Sequence, residues 1–230
     1  MKPKHWWESV NCAIEGVLWA ATSQKHLRWH FLTAIAVMLL ALLLKLSALD
    51  FILLSFAVTL VLFAEIVNTA IEVVVDLVSP EFHPLAKRAK DVAAGSVLVA
   101  SFGAVVMGFF VFAHYLFPPA EGQLNELPPI GPVVPVVALV VVVMAVVLLK
   151  ARFGGRPLQG GMPSGHAAVA FSVAVSVLLG QPGLVVALLV LLIAFLVANS
   201  RVLLGVHSVG EVVAGAAVGI LITLILYWIF

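Results

Sequence analysis

Long aliphatic runs restrict the fold of this chain more than any other feature of its sequence. Residues 133–149 are entirely apolar, and the whole chain is 63% hydrophobic and 10% charged. A soluble domain carries about 25% charged residues, and an α-helix needs at least about 17 apolar residues to cross a bilayer. We therefore expect an all-α, polytopic membrane helix bundle with about seven transmembrane helices, and six as the alternative. The predicted spans are residues 31–47, 51–78, 92–116, 133–149, 165–180, 183–199 and 208–230.

Two segments outside these spans organise the rest of the chain. Residues 4–28 carry apolar side chains at steps of three or four, with tryptophans and basic residues that suit a membrane–water boundary. They predict an N-terminal interfacial amphipathic helix, and the alternative is an ordinary helix packed on the bundle. Residues 117–132 contain five prolines, which break any helix. This Pro-rich loop separates a three-span domain over residues 1–116 from a four-span domain over residues 133–230.

The basic residues predict the orientation of the chain in the membrane. With a cytoplasmic N-terminus and every span crossing, eleven of the twelve lysines and arginines face inward and only Lys45 faces outward. An excess of basic residues is typical of cytoplasmic loops. We therefore expect a multi-pass protein whose candidate sites, one in each domain, both face the cytoplasm.

The predicted second span carries four polar side chains, Glu65, Asn68, Glu72 and Asp76. At 100° per residue they fall within an arc of about 80° on one helix face. Carboxylates inside a bilayer are costly unless they meet a partner. Acids that hold a divalent cation, beside basic groups that hold phosphates, are typical of nucleotide-dependent phosphoryl transfer. The alternative is a buried ion-pair cluster between helices. The charged residues that follow this span are Lys87, Arg88, Lys90 and Asp91.

The sequence around these residues resembles the small three-span prokaryotic diacylglycerol kinases, a family that includes the undecaprenol kinases. The resemblance covers about residues 10–116. It rests on the run EIVNTAIE at 65–72, on Asp76 and on the run AKDVAAG at 89–95.

This resemblance implies a lipid kinase that uses ATP and magnesium and that assembles as a trimer. It implies Glu65 as the catalytic base, which takes the proton of the lipid hydroxyl, and Glu72 as the magnesium ligand. Gln24 stands where the family carries a metal-binding glutamate, and a neutral amide is a weaker ligand for magnesium than a carboxylate. The residues implied to contact ATP are Asn68, Lys90 and Asp91.

The second half of the chain carries histidines and cations at the ends of its apolar runs. The sequence PSGH at 163–166 opens a predicted helix, whose N-terminal amides form an anion site. His207 and Glu211 are four residues apart, so on one helix the carboxylate can orient the imidazole. Two histidines with different partners fit a nucleophile and a general acid, and the alternative is hydrogen-bonded core histidines. The cations that can grip phosphate are Lys150, Arg156 and Arg201.

This pattern resembles the type-2 phosphatidic acid phosphatases over the C-terminal half. The resemblance implies that His207 forms a phosphohistidine, that His166 protonates the leaving alkoxide and that Glu211 positions His207. It implies no metal or other cofactor. Two features depart from the family: five residues rather than six separate Lys150 from Arg156, and Glu211 replaces an aspartate. The residues implied to bind phosphate are Lys150, Arg156, Ser164, Gly165 and Arg201.

We therefore expect a bifunctional enzyme of a bacterial inner membrane, in which a lipid kinase is joined to a lipid phosphatase. The expected lipids are diacylglycerol or undecaprenol for the kinase, and phosphatidate, phosphatidylglycerophosphate or undecaprenyl mono- or diphosphate for the phosphatase. Nothing in the charge predicts a nucleic-acid partner. Three alternatives stay open: a phosphatase with a weak or silent kinase domain, a channel or transporter, and a vanadate-dependent haloperoxidase. A channel predicts polar residues spread through several spans, whereas these cluster at one membrane face.

Overall fold

The computed structural model describes residues 5–116, 133–153 and 160–230. The Pro-rich loop 117–132 and the predicted phosphate-binding Arg156 lie outside the described residues. The described part of the chain contains helices, turns and bends but no β-strand, which confirms the predicted all-α fold. Its helices are α1 (Trp6–Ser23), α2 (Lys25–Leu43), α3 (Ala48–Val78), α4 (Pro84–Leu116), α5 (Val133–Phe153), α6 (Gly165–Leu179), α7 (Leu184–Leu203) and α8 (Val209–Ile229).

The chain divides into two compact units, Met1–Glu121 and Gly122–Phe230, which we call unit 1 and unit 2. Six of the described helices are long and apolar enough to cross a membrane: α2, α3, α4, α5, α7 and α8. α6 has 15 residues, or about 22 Å of helix, and is shorter than a hydrocarbon core of roughly 30 Å. Leu77 and Trp228 are 81% and 87% exposed, which suits lipid rather than water. The chain is therefore a polytopic membrane protein.

Several helices extend beyond the predicted apolar spans. α2 begins at Lys25 rather than at residue 31, and α4 begins at Pro84 rather than at residue 92. Hydropathy marks only the apolar part of a membrane helix. The helical backbone itself continues into the polar residues at the membrane boundary, where many of the candidate site residues lie.

The prediction of one amphipathic helix over residues 4–28 is wrong at its C-terminal end. Gln24 separates α1 from α2 and has an extended backbone, with φ −103° and ψ 115°. The guanidinium of Arg28 donates to the carbonyl oxygen of Thr22 at 2.8 Å, so it satisfies one of the free carbonyl groups at the end of α1. This contact accompanies the break, which leaves Gln24 at a junction between two helices.

Small side chains line the helix contacts of unit 1, in which α3 packs along α4, α2 packs on α3, and α1 packs on α2. Ala57, Ala64 and Ala93 are buried at these contacts, and such residues let membrane helices approach closely. At the start of α3, the hydroxyl of Tyr115 from the end of α4 donates to Oδ2 of Asp50 at 2.7 Å. This bond ties the two longest helices of the unit together at one end.

Two glycines set the close packing of α6 against α8 in unit 2. A Cβ at Gly215 would collide with the backbone of Ser164, and a Cβ at Gly219 would collide with the backbone of Ala168. The small-xxx-small spacing of these glycines is typical of membrane helices in close contact. α5 packs against α6 and α8, and α7 packs against the same pair. The start of α6 is therefore held directly against the first turns of α8.

Candidate functional site

Glu65 is a buried carboxylate within α3, and its side chain is 8% exposed. Its Oε1 lies 3.0 Å from Nε2 of His30 on α2. A carboxylate inside a membrane needs such a partner, because an unpaired charge there costs several kcal/mol. The predicted catalytic base thus lies beside a group that can donate a hydrogen bond or hold a proton.

Glu72 lies two turns after Glu65 on α3 and accepts two hydrogen bonds from amides. Nε2 of Gln24 donates to its Oε2 at 3.2 Å, and Nδ2 of Asn68 donates to its Oε1 at 3.0 Å. The predicted magnesium ligand is thus in contact with Gln24, which stands where the sequence resemblance implies a second glutamate, and with one predicted ATP contact. Oδ1 of Asn68 is buried and has no hydrogen-bond partner among the described residues.

Two ion pairs lie where α3 ends and α4 begins, and one of them connects the two helices. Nζ of Lys90 lies 2.5 Å from Oδ1 of Asp76, which is one turn after Glu72. Nζ of Lys87 lies 2.6 Å from Oδ2 of Asp91 along α4 itself. Lys90 therefore joins the acidic face of α3, whereas the predicted ATP contact Asp91 pairs within its own helix.

An apolar cavity of 370 Å³ lies between α2, α3 and α4. Its walls are mostly aliphatic, and its polar side chains are those of His30, Thr33 and Ser101. Lipid and cofactor sites typically combine apolar walls with a few placed polar groups. His30 lines this cavity and also contacts Glu65, so one side chain connects the cavity wall with the buried carboxylate.

The residues around Glu72 fit a magnesium ion that arrives with nucleotide phosphates. Magnesium is usually held by one or two carboxylates plus substrate phosphates, and Glu72 supplies one carboxylate. Asn68 Oδ1 supplies a buried oxygen without a partner, and the amide of Gln24 presents its own oxygen if it turns over. Within the described ranges, no three His, Cys, Asp or Glu side chains could hold a metal ion by themselves. A magnesium ion at Glu72 would therefore take further ligands from water or from a bound molecule.

In unit 2, His207 and Glu211 form a pair at the start of α8. Nδ1 of His207 lies 2.8 Å from Oε2 of Glu211, and the His207 side chain is 1% exposed. They do not share a helix, because Ser208 is the N-cap of α8 and His207 lies in the turn before it. A carboxylate at Nδ1 favours the tautomer that leaves the lone pair on Nε2, so this arrangement suits a nucleophilic nitrogen.

Glu211 also joins α8 to the turn that leads into α6. Its Oε2 accepts from the backbone N–H of Ser208 and its Oε1 from that of Gly161, both at 3.2 Å. Its backbone carbonyl accepts from the N–H of Ser164 at 2.9 Å. Gly160 and Gly161 have φ values of +91° and +87°, which glycine adopts without strain. One carboxylate thus fixes both the imidazole and the turn before α6.

A tight turn after α7 returns the chain to Arg201. The carbonyl of Arg201 accepts from the backbone N–H groups of Val206 and His207, each at 3.1 Å. Gly205, with a φ of +66°, provides the left-handed conformation that this turn requires. His207 is therefore held close to the end of α7, where Arg201 lies.

A second apolar cavity, of 550 Å³, has Lys150, His166 and His207 among its lining residues, with aliphatic side chains of α5, α6 and α7 around them. Arg201 and Lys150 lie close enough to His166 for their charges to act on it. Ser164 Oγ is buried before α6 and has no hydrogen-bond partner in the described part of the chain. Of the residues predicted for this site, the structure gathers Lys150, Ser164, Gly165, His166, Arg201, His207 and Glu211 at one end of the unit.

Sequence reasoning missed His30 as a site residue. Its own segment, at the start of an apolar span, carries no motif that distinguishes it. The available signal was Glu65, because a carboxylate in the body of a membrane helix requires a partner from a neighbouring span. Which neighbour supplies that partner depends on the packing of α2 against α3, and the sequence pattern does not contain it.

Comparison with known proteins identifies the first half of the chain. Residues 11–112 match the family described as prokaryotic diacylglycerol kinase. A diacylglycerol kinase of Synechocystis is 45% identical over 101 residues, which are 44% of this chain and 58% of that protein. An undecaprenol kinase of Bacillus subtilis is 34% identical over 100 residues, 44% of this chain and 81% of the relative. A diacylglycerol kinase of Escherichia coli is 44% identical over 63 residues, 27% of this chain and 52% of the relative.

The family match ends before unit 2 begins. The predicted resemblance of residues 133–230 to type-2 phosphatidic acid phosphatases finds no support in these comparisons and stays a prediction. No solved structure matches the chain significantly. Through residues 11–112, the chain belongs to the prokaryotic diacylglycerol kinase family.

Proposed function

We propose that unit 1 transfers the γ-phosphate of ATP to the hydroxyl group of a membrane lipid. The observation that carries this proposal is the buried Glu65, which lies beside an apolar cavity in a chain of the diacylglycerol kinase family. A buried carboxylate next to an apolar chamber can take a proton from a lipid hydroxyl that enters with its chain in the cavity. A purely structural ion-pair cluster would not need the cavity.

In the proposed reaction the lipid hydroxyl gives its proton to Glu65. The freed oxygen bonds to the γ-phosphorus of ATP, and the bond from that phosphorus to the bridging oxygen breaks, so that ADP leaves. Catalysis of this kind depends mainly on positioning and charge. Lys90 lies at the exposed end of the acidic face of α3. Its ammonium group can bind a phosphate when it separates from Asp76.

Magnesium bound with ATP would neutralise part of the phosphate charge. Glu72, with the amide oxygens of Gln24 and Asn68, would hold it. The residues of this chain otherwise bind and orient: Asn68 and Gln24 fix the Glu72 carboxylate between α3 and the α1–α2 junction. That contact fixes the acidic face relative to the N-terminal helices.

The acceptor lipid is a diacylglycerol or a polyprenol, because the similar proteins carry those two names and the cavity walls suit either chain. The test is phosphate transfer from radiolabelled ATP to diacylglycerol and to undecaprenol in mixed micelles of the purified protein. Labelled lipid that is absent from a Glu65→Gln sample supports the proposal. No labelled lipid from the wild-type protein with either acceptor would overturn it.

A second activity is favoured by a separate observation: in unit 2, two histidines and a lysine line one apolar cavity, and one histidine is paired with a carboxylate. We infer that unit 2 removes phosphate from a lipid phosphate. Nε2 of His207 bonds to phosphorus, the bond from phosphorus to the lipid oxygen breaks, and His166 gives that oxygen a proton. Water then hydrolyses the phosphohistidine.

The charges around this cavity suit a phosphate group. Lys150 and Arg201 supply positive charge, and the backbone amides at the start of α6 supply hydrogen-bond donors. Ser164 Oγ, which is buried without a partner, gains one if a phosphate oxygen lies there. The lipid chain fits the aliphatic remainder of the cavity.

The test is phosphate release from phosphatidate, phosphatidylglycerophosphate and undecaprenyl mono- and diphosphate, with and without EDTA. Release in EDTA, lost in His207→Ala, is the expected result, because Lys150 and Arg201 rather than a metal neutralise the phosphate. If EDTA stops release, or if His207→Ala releases phosphate at the wild-type rate, the imidazole mechanism is wrong.

A further inference from the structure

We propose that His30 is the positioning residue of the kinase site, whose imidazole holds the carboxylate of Glu65 in place beside the lipid cavity. This inference rests on the proposed lipid kinase activity of unit 1. It adds a residue to that site, and it assigns one function to the contact between α2 and α3.

The position of His30 connects two features that are otherwise separate. Its Nε2 lies 3.0 Å from Oε1 of Glu65, and its side chain, 31% exposed, lines the apolar cavity. Thr33 and Ser101, the other polar residues of that cavity, carry uncharged hydroxyl groups and cannot form an ion pair with Glu65. His30 is therefore the residue that joins the carboxylate to the cavity.

The other polar groups of the α3 face are engaged elsewhere. Glu72 is held by Gln24 and Asn68, and Asp76 is held by Lys90. Each contact differs in chemistry: amides hold the acid that faces the predicted metal, and a lysine holds the exposed acid. Of the three acids on the α3 face, Glu65 is the one paired with an imidazole, which donates a hydrogen bond whether it is neutral with its proton on Nε2 or fully protonated.

A donor at this place has a direct consequence for a base. A general base must present an oxygen within hydrogen-bond distance of the proton that it takes. The Nε2–H of His30 donates to Oε1 of Glu65, which fixes the orientation of the carboxylate and leaves Oε2 for the lipid hydroxyl. The imidazole itself forms no bond to the lipid or to ATP.

The decisive variants replace His30 by residues that differ in donor and reach. The amide nitrogen of glutamine falls near Nε2 of histidine, so His30→Gln keeps a donor to Glu65. His30→Leu keeps apolar volume and removes the donor, and His30→Asn keeps an amide that is one methylene too short. His26→Leu is the matched control, because His26 lies one turn earlier on α2 and is exposed.

We expect kcat for lipid phosphorylation to fall by about tenfold or more in His30→Leu, as is typical when one hydrogen-bond donor is removed from a catalytic site. The KM for ATP should change less than about twofold, because the loss concerns the base and not the nucleotide. His30→Gln should retain kcat within about threefold of wild type and His26→Leu should match it. If His30→Leu does not fold, His30→Gln and His30→Asn carry the test, with Asn expected to behave as Leu.

A double variant separates positioning from a general structural role. If His30 acts through Glu65, then Glu65→Gln together with His30→Leu should be no slower than Glu65→Gln alone, because both changes remove the same function. Additive losses, or a His30→Leu enzyme with wild-type kcat, would overturn the assignment. Equal kcat in His30→Gln and His30→Asn would do the same. A wild-type protein that phosphorylates no lipid would instead contradict the proposed kinase activity. That outcome is distinguishable, because there is then no wild-type kcat with which to compare the variants.

Discussion

The candidate sites of the two units are built in opposite ways. In unit 1 the polar residues lie along the body of one helix, α3, and its three acids meet partners from outside that helix, on α2, at the α1–α2 junction and on α4. In unit 2 they lie in turns and at helix ends, where α5 and α7 end and α6 and α8 begin. The candidate site of unit 1 is thus a row of side chains along α3, which we call the stripe. The candidate site of unit 2 is a group of turns and helix ends at one end of the unit, which we call the cap.

The two sites are therefore held together by different kinds of contact. The stripe depends on side-chain pairs between helices, so that single contacts such as His30 with Glu65 decide its charges. The cap depends on the backbone, since Glu211 binds two N–H groups through its carboxylate and a third through its carbonyl. A side-chain change should therefore act locally in unit 1, whereas a backbone clash should be the more damaging change in unit 2.

The largest effect is expected for His207→Ala. Phosphate release should fall by about 10⁴-fold or more, because a covalent intermediate has no substitute nucleophile in the site. ATP-dependent lipid phosphorylation, measured in the same preparation, should stay at the wild-type rate. Loss of both activities would mean that the two sites are not separate functions, and would break the comparison.

The converse change is Glu65→Gln, which keeps the size of the side chain and removes the base. Lipid phosphorylation should fall by about 10²- to 10³-fold, a range typical of general base catalysis. Phosphate release by unit 2 should not change. A Glu65→Gln protein that phosphorylates lipid at full rate would reduce the α3 stripe to a structural ion-pair cluster.

The sequence alone was sufficient to predict the fold class and the acidic face of α3, and the reasons are physical. The aliphatic runs have no other stable setting than a membrane bundle, and residues such as Glu65 and Glu72 share a face by helical spacing alone. The spacing of His207 and Glu211 also placed them together, although a turn rather than one helix joins them. These inferences use local geometry, which the order of residues contains.

Other features depend on tertiary packing and could not be read in this way. The break at Gln24 was missed because the apolar periodicity of residues 4–28 continues across it, whereas the contact of Gln24 with Glu72 is formed only in the folded chain. His30 was missed because its partner is on another helix. The close contact at Gly215 involves the backbone of Ser164, which lies on a different helix end and far away in the sequence.

The glycine contact gives the third prediction, a test of the backbone dependence of unit 2. Gly215→Ala forces a Cβ into the backbone of Ser164, and overpacking of this kind costs about 1–3 kcal/mol. The time for which phosphate release survives heating in detergent should shorten. Gly210→Ala, on the same helix with nothing within 4 Å of the added Cβ, should survive as the wild type does. Equal survival of the two variants would show that the α6–α8 contact yields easily.

The smallest expected effect is that of Gln24→Glu, which restores the acid that the family carries. Gln24 now donates to Glu72, and a glutamate would replace this donor by a second carboxylate, for which magnesium has a higher affinity. It would also place two like charges together, so the gain should appear only when magnesium is present. We expect the magnesium concentration that gives half-maximal lipid phosphorylation to fall roughly severalfold, and kcat to rise by a smaller factor. Gln24→Leu, which can neither donate nor bind metal, is the control and should raise that concentration. If Gln24→Glu and the wild type show the same magnesium dependence, the side chain at position 24 does not contact the metal. The stripe would then hold its cation with Glu72, Asn68 and the nucleotide alone.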